Sequence, residues 1–195
     1  MPTREEKVAQ LEAALRKRFF PNVPRIEGAN RAGWLDEQHD LDRLSRALAA
    51  YALVGEAGLD DTTAAGSITD GENDCGIDAL HFDRTNNRLL IVQAKYKRDG
   101  AAPSQAEGLK TKQGIERLRN RDFAAFNPHF HVRRDEIEEA LDISGHDSGC
   151  RFEDFTQNAR FRQAQYFKSI RNRLLVSMIR HFVFCGTLHF PAMLS

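Results

Sequence analysis

The most informative part of the chain is the stretch of residues 67–96, which reads SITDGENDCGIDALHFDRTNNRLLIVQAKY. A short, mostly apolar run at residues 77–82 is separated from a second apolar run by a polar cluster at residues 83–87. Runs of this length, bounded by turn-forming residues, predict a strand, a turn and a second strand. The second strand, residues 89–96, is apolar up to Gln93, which indicates burial on both faces.

Polar groups are expected to converge at the open end of this hairpin. Gln93 and Lys95 stand two residues apart, so their side chains project to the same face while Ala94 points away. Pairing around a turn at residues 86–87 places Asp78 level with them. A carboxylate, an amide oxygen, a backbone carbonyl and an ammonium group are therefore predicted to lie close together.

This set of groups suits a hard divalent cation such as Mg²⁺, which takes oxygen ligands and rests on one or two carboxylates plus a substrate phosphate. The bound ion lowers the pKa of a water molecule and stabilises charge on phosphoryl oxygens. Lys95 is expected to orient or deprotonate that water, or to neutralise the transition state. We therefore interpret the hairpin end as a nuclease-type site.

The alternative is a purely structural pair between Asp78 and Lys95. A lysine at the end of an apolar strand is costly unless it is paired, so pairing alone explains these two residues. Pairing does not explain Gln93, nor the acidic and glycine-rich segment of residues 70–78 that precedes the first strand. The functional interpretation is therefore favoured.

The order of these residues resembles a known nuclease family. Residues 70–79 follow the pattern Asp-Gly-x-Asn-Asp-x-Gly-Ile-Asp-Ala, and residues 89–96 follow Leu-x-x-Val-Gln-x-Lys-Tyr. Both are similar to the Mrr-like nuclease domain at the N-terminus of AIPR (abortive infection phage resistance) proteins, a branch of the PD-(D/E)XK phosphodiesterases. The resemblance implies catalytic and metal-binding roles for Asp78 and Gln93 and a catalytic role for Lys95.

The resemblance covers roughly residues 36–142 and implies an α/β fold with a restriction-endonuclease-like core, a small mixed β-sheet flanked by helices. It also implies Mg²⁺ or Mn²⁺ as cofactor, DNA as substrate and a bacterial defence role against phage. The chain departs from the family pattern at Glu72 and Cys75, where members usually carry small, glycine-type residues.

Further acidic ligands are less certain in position. In this superfamily the first helix of the nuclease core, here residues 35–54, often supplies one. Asp42 is the first choice and Asp40 the second. A solvated helix face with an acidic first turn explains each of them equally well. Asp70 and Asp74 are ordinary turn residues by their sequence context, although Asp74 is near enough to Asp78 to assist a metal through water.

Charge is distributed unevenly although the net charge is zero. Residues 27–78 hold twelve acidic against three basic side chains, a net of −9, whereas residues 95–121 hold eight basic against three acidic ones, a net of +5. A basic segment after Lys95 suits binding of phosphate, and ordinary solvated helices are the alternative. The candidate DNA contacts are Lys97, Lys110, Lys112, Arg117 and Arg119.

Composition is that of a globular cytoplasmic protein. The 195 residues, 41% of them hydrophobic, are enough for one core with appendages. Three cysteines without a Cys-x-x-Cys pair indicate neither a disulfide framework nor a zinc finger. His129 and His131 form half a zinc site at most, and an exposed loop is favoured there. The N-terminus is no secretory signal, and the apolar segment of residues 174–194 is too interrupted to span a membrane.

Three segments are expected along the chain. Residues 1–33 form an N-terminal helix and loop, residues 34–142 the nuclease-like core, and residues 143–195 a C-terminal extension that is truncated or divergent. Within the extension, residues 174–190 fit a strand or a buried helix, which periodicity alone does not distinguish. Helices are predicted at residues 3–19, 35–54, 60–65, 105–119 and 134–141.

The sequence thus predicts a Mg²⁺-dependent endonuclease-like phosphodiesterase, a hydrolase acting on DNA in anti-phage defence. The metal ligands are expected to be Asp78, Gln93, the carbonyl of Ala94 and Asp42. One alternative is a catalytically inactive or truncated nucleic-acid-binding or assembly module with the same core. Another is a small interaction protein that forms a homodimer through its Phe-rich tail.

Overall fold

The computed structural model of the chain describes residues 3–23, 25–26, 31–98, 104–145, 151–152 and 183–189. These residues form a mixed α/β structure in which helices pack on a small antiparallel sheet. The elements, in chain order, are α1 (Arg4–Phe19), α2 (Asp36–Ala57), α3 (Asp61–Ala65), β1 (Ala79–Asp83), β2 (Arg88–Ala94), α4 (Gln105–Arg119), a 3-10 turn (Phe123–Ala125), α5 (Pro128–His131), α6 (Arg134–Gly145), β3 (Arg151–Phe152) and β4 (Val183–His189).

The predicted hairpin is confirmed. β1 and β2 pair antiparallel in a register that runs from Asp83 opposite Arg88 to Ala79 opposite Val92. The Asp83 carboxylate closes the turn, because it accepts hydrogen bonds from the Asn86 N–H at 3.1 Å and from Arg88 Nε at 2.9 Å. A side chain that bonds its own turn favours this compact connection over other pairings.

The predicted mixed sheet is wrong for the described strands. β4 pairs antiparallel with β2, and β3 pairs antiparallel with β4, which gives the order β1-β2-β4-β3. A short turn forces β1 and β2 to run antiparallel, but the long connection from β2 to β4 leaves the direction of β4 to tertiary packing. Residues 174–182 and 190, also part of the predicted C-terminal strand or helix, lie outside the described residues.

The central strand β2 is buried on both faces, as its sequence predicts. Side chains alternate between two hydrophobic cores. Leu90 and Val92 pack in one core with residues of α1 and α2, while Leu89 and Ile91 pack in the other with residues of α4 and α6. The sheet therefore lies between two helical layers, and the ends of β1 and β2 are held from both sides.

Helix boundaries follow from capping. Thr3 and Glu6 form a capping box at the start of α1, and Gly58 ends α2 with a φ of +67°. The predicted α1, α3 and α4 are confirmed to within one residue at either end, while α2 and α6 run a few residues further than predicted. His129 and His131 are exposed, as predicted, but they lie on a short helix instead of a loop, because Asn127 caps that helix by accepting from the Phe130 N–H.

Two glycines of α4 give a matched test of how this helix packs. A Cβ on Gly114 would lie 2.3 Å from the Cys75 carbonyl oxygen, whereas a Cβ on Gly108 would meet nothing within 4 Å. Gly114→Ala is therefore expected to lower the free energy of unfolding by about 1–3 kcal/mol. Gly108→Ala is expected to raise it by about 0.5–1 kcal/mol. Urea denaturation measures both changes, and shifts of the same sign would contradict this packing.

Candidate functional site

A cleft of about 140 Å³ lies at the open end of the β1–β2 hairpin. Its walls come from α2, from the loop before β1, from the end of β2 and from the first turns of α4. The cleft thus gathers most of the polar residues that the sequence singles out. The lining residues are Asp42, Ser45, Arg46, Asp70, Asp74, Gly76, Asp78, Gln93, Ala94, Lys95, Glu107 and Lys110.

Three aspartates form a compact carboxylate cluster in this cleft. One oxygen from each of Asp70, Asp74 and Asp78 lies within 4.8 Å of the others. Such a spacing allows the oxygens to approach one divalent cation from different sides, and carboxylate oxygens are what Mg²⁺ and Ca²⁺ bind. The cluster is therefore able to hold a metal ion.

The loop before β1 is folded so that its two ends meet. The N–H groups of Thr69 and Asp70 both donate to the Asp78 carbonyl oxygen, at 2.8 and 3.1 Å. Asn73 and Cys75 take left-handed φ values of 60° and 54°, which turn the chain back on itself. This turn returns Asp70 to the side of Asp78 although eight residues separate them.

Cys75 adopts a backbone conformation that is unusual for a residue with a side chain. A φ of 54° lies in the left-handed region, which favours glycine. A glycine-type residue at this position therefore fits the backbone, and this chain adopts the same turn with a cysteine. The sulfur of Cys75 lies 3.5 Å from the Ala125 carbonyl oxygen, so the side chain packs away from the carboxylate cluster.

Asp78 is the member of the cluster whose pKa is shifted most clearly, although Asp74 is the least exposed of the three. Burial, together with the nearby charges of Asp70 and Asp74, raises the pKa of Asp78 well above its ordinary value, although the Ala94 N–H and Lys95 act in the opposite direction. Burial is also the main reason that the pKa of Asp70 is raised. Carboxylates held near one another and away from water favour binding a proton or a cation. The donor set therefore fits a divalent ion.

The backbone at the end of β2 is tied directly to Asp78. The Ala94 N–H donates to Asp78 Oδ2 at 2.6 Å, and the Asp78 N–H donates to the Val92 carbonyl oxygen at 2.8 Å. These bonds place Asp78 level with Gln93, as the hairpin register predicts. The sequence assigned the carbonyl of Ala94 to the metal, and that role stays a prediction.

Of the two acidic candidates on α2, Asp42 lines the cleft. It accepts hydrogen bonds from Arg31 and from Arg46, and these bonds outweigh burial, so that the pKa of Asp42 is lowered. Asp40 instead pairs with Arg16 of α1 at 2.7 Å. Asp42 therefore lines the cleft, but its carboxylate is paired with the guanidinium groups of Arg31 and Arg46.

Gln93 faces the same cleft and is bound to α4. Its side-chain oxygen accepts a hydrogen bond from the Thr111 hydroxyl at 2.5 Å, and its amide group donates to the Glu107 carbonyl oxygen at 3.4 Å. Thr111 was not identified from the sequence, because a threonine inside a helix carries no motif. Its hydroxyl fixes the orientation of Gln93 toward the helix.

Two lysines approach the carboxylates from different elements. Lys95 follows β2 and is exposed at the cleft. Its positive charge partly opposes the rise in the pKa of Asp78. Lys110 of α4 binds Asp74 Oδ1 at 2.6 Å; this bond outweighs burial and raises the pKa of Lys110. The sequence analysis treated Lys110 as a DNA contact, and the structure places it inside the cleft.

The other candidate DNA contacts lie outside this cleft. Lys97 is 3.7 Å from Glu107, and Arg117 is 3.7 Å from Asp122, while Lys112 and Arg119 are exposed on α4. Lys112 and Arg119 stand seven residues apart, so they share one face of the helix. Lys112 follows Lys110 by two residues, about 200° around the helix, so this positively charged face is turned away from the cleft-lining Lys110.

Several site residues were missed or undervalued by the sequence. Asp70 was regarded as a turn residue and Asp74 as one that assists the metal only through water, although the repeated spacing of four residues from Asp70 to Asp74 to Asp78 was visible. Arg46 and Glu107 were not proposed as site residues. Each of them reaches the cleft through tertiary packing, which a linear motif does not encode.

Comparisons with known proteins found no match: no family model, curated protein or solved structure matches the chain. No helix among the described residues has the length and apolar character needed to cross a bilayer. The functional assignment therefore depends on the chemistry of the cleft.

Proposed function

We propose that the protein is a Mg²⁺- or Mn²⁺-dependent endonuclease-like phosphodiesterase acting on DNA. The observation that carries this proposal is the cluster of Asp70, Asp74 and Asp78 beside Lys95 in one cleft. The cleft lining holds five acidic and three basic side chains, and an excess of carboxylates in one cleft favours a divalent ion. A lysine next to such an ion supplies the charge that phosphodiester hydrolysis needs.

Each cleft residue has a defined part in this proposal. Asp78 and the two neighbouring aspartates hold the ion, and Gln93 stands beside them on the wall formed with α4. The bound ion supplies a water of lowered pKa and neutralises charge on the phosphoryl oxygens. Lys95 is exposed at the cleft, where its ammonium group would orient that water or neutralise the transition state, and its neutral amine would be the form able to deprotonate the water.

The wider context of the proposal comes from charge and from the family resemblance. Lys112 and Arg119 present positive charge on α4 and are proposed to contact the DNA backbone. The resemblance to the Mrr-like domain of AIPR proteins supports a restriction-endonuclease-like core, a cytoplasmic location and a role in abortive infection. The homodimer predicted through the Phe-rich tail stays a prediction, because most of that tail lies outside the described residues.

Nicking of supercoiled plasmid DNA tests the proposal. The wild-type protein is expected to convert the plasmid to open-circular and linear forms with Mg²⁺ and to stop when EDTA is in excess. A double variant with Asp78→Ala and Lys95→Ala, purified in parallel, is expected to give no product. Equal nicking by both proteins would contradict the proposal, because the activity would then not depend on the residues of this cleft.

One observation favours a second candidate function. Two of the three clustered carboxylates already bind a cation of the chain itself, Asp74 through Lys110 and Asp70 through Arg46. A site that is partly neutralised internally fits a non-catalytic nucleic-acid-binding or assembly module with the same core. This alternative predicts DNA binding that weakens steeply with salt but no metal-dependent cleavage.

A further inference from the structure

We infer that Arg46 is a built-in counter-ion that fills the place of a second metal, so that the cleft binds a single divalent ion at Asp70, Asp74 and Asp78. This inference rests on the proposed function, because it concerns the same site. It assigns Arg46 a role that neither the motif nor the resemblance contains.

The position of the guanidinium group is the first support. Nη1 of Arg46 lies 2.6 Å from Asp42 Oδ2 and 3.0 Å from Asp70 Oδ2, so one positive nitrogen bridges two carboxylates. A metal ion that bridged two carboxylates would join their oxygens in the same way. Here the arginine already occupies that position.

The burial of Arg46 is the second support. Its side chain is only 1% exposed, and Nε and Nη2 are buried without a hydrogen-bond partner among the described residues. Buried donors that make no hydrogen bond destabilise a fold. A packing role alone would be met better by an apolar side chain, so the charge itself is what this position requires.

Asp42 strengthens the same conclusion. Besides Arg46, it binds Nε of Arg31 at 3.0 Å and Nη2 of Arg31 at 3.3 Å. Arginine stays charged at every physiological pH and its planar fork matches a carboxylate. Asp42 is thus fully compensated and is a positioning residue that holds Arg46, rather than a metal ligand.

Lys110 provides the contrast within the same cleft. Its ammonium group binds Asp74 at 2.6 Å, but its side chain is 57% exposed and ends in a flexible stem. An arriving divalent ion can displace an exposed lysine into solvent at little cost. The guanidinium of Arg46 is buried and held by two carboxylates, so it is the harder of the two cations to displace. The ion is therefore expected to displace Lys110 and not Arg46.

Mn²⁺ binding to the full-length protein tests the inference. Titration calorimetry of the wild type is expected to give one ion per chain, and the electron paramagnetic resonance spectrum is expected to lack the coupling of two neighbouring Mn²⁺ ions. Arg46→Met is expected to admit a second ion, whereas Arg46→Lys keeps the charge and is expected to bind one. Thermal unfolding shows whether each variant is folded.

The outcomes separate this inference from the proposed function. Two coupled ions in the wild type would overturn the role of Arg46 and leave the nuclease proposal standing. A folded Arg46→Met variant that still binds one ion would also overturn it. Absence of any Mn²⁺ binding by the wild type would overturn both proposals. The wild-type measurement decides between these cases even if Arg46→Met does not fold.

Discussion

Asp78→Asn is expected to lower metal-dependent cleavage by roughly 10³-fold or more, while it raises the stability of the metal-free protein. Asparagine retains an oxygen that can accept the 2.6 Å hydrogen bond from the Ala94 N–H, so the local backbone is preserved. The substitution removes the Asp78 carboxylate, whose pKa is raised by burial and by the charge of Asp70. Loss of the Asp78 charge relieves repulsion in the cleft and at the same time removes a metal ligand.

Asp83 is the matched control at the other end of the same strand. Burial acts on Asp83 too, but hydrogen bonds from Asn86 and Arg88 outweigh it and lower the pKa of Asp83. Asp83→Asn is therefore expected to lower the melting temperature without affecting metal binding. Differential scanning fluorimetry with EDTA and with Mg²⁺ measures both effects. Equal stabilisation of the Asp78→Asn variant and the wild type by Mg²⁺ would contradict the assignment of Asp78.

The raised pKa of Asp78 also fixes the sign of a pH effect on the metal-free protein. In the unfolded chain an aspartate titrates at about 3.9. Between that pH and the raised native pKa, the folded state binds more protons than the unfolded state, so stability falls as pH rises. Urea denaturation in EDTA is expected to show this fall in the wild type. The Asp78→Asn variant is expected to retain only the smaller part that comes from Asp70.

Local signals in the sequence were sufficient for the elements that carry the site. The hairpin depends on the polar turn closed by Asp83, and its register, with Ala79 opposite Val92, places Asp78 and Gln93 at one level. Helix α4 has its predicted bounds, and Ser104 and Glu107 form a capping box at its start. Each of these interactions joins residues that are close together in the sequence, so a local sequence pattern can predict them.

The carboxylate cluster was not predictable in the same way. Asp70 reaches Asp78 only because two N–H groups of the loop donate to one carbonyl oxygen and because Asn73 and Cys75 adopt left-handed conformations. The sequence context of Asp70 and Asp74 is that of ordinary turns. Arg46 and Lys110 then reach Asp70 and Asp74 across separations of 24 and 36 residues.

The direction of β4 illustrates the same limit for the sheet. Its seven residues, Val183–His189, pair with β2, but a long connection separates the two strands in the chain. Such a connection allows β4 to pair with β2 in either direction, and the direction depends on packing against the rest of the fold. The expectation of a mixed sheet failed at this point, while the mixed α/β class was confirmed.

Lys95→Ala is expected to reduce the rate of plasmid nicking by about 10²–10³-fold while leaving Mg²⁺ binding in place. Lys95 is exposed at the cleft and is not one of the clustered carboxylates, so its removal leaves the oxygen ligands intact. The melting temperature and its increase with Mg²⁺ are therefore expected to resemble those of the wild type. A loss of activity with retained metal binding distinguishes Lys95 from Asp78, for which both are lost.

Lys17→Ala supplies the matched control, because Lys17 is an exposed lysine on α1 that does not line the cleft. It changes the net charge by the same amount, so any general weakening of DNA binding appears in both variants. Only the Lys95 variant is expected to lose the catalytic step under single-turnover conditions with saturating DNA. If both variants cut at the wild-type rate, Lys95 has no role in the catalytic step.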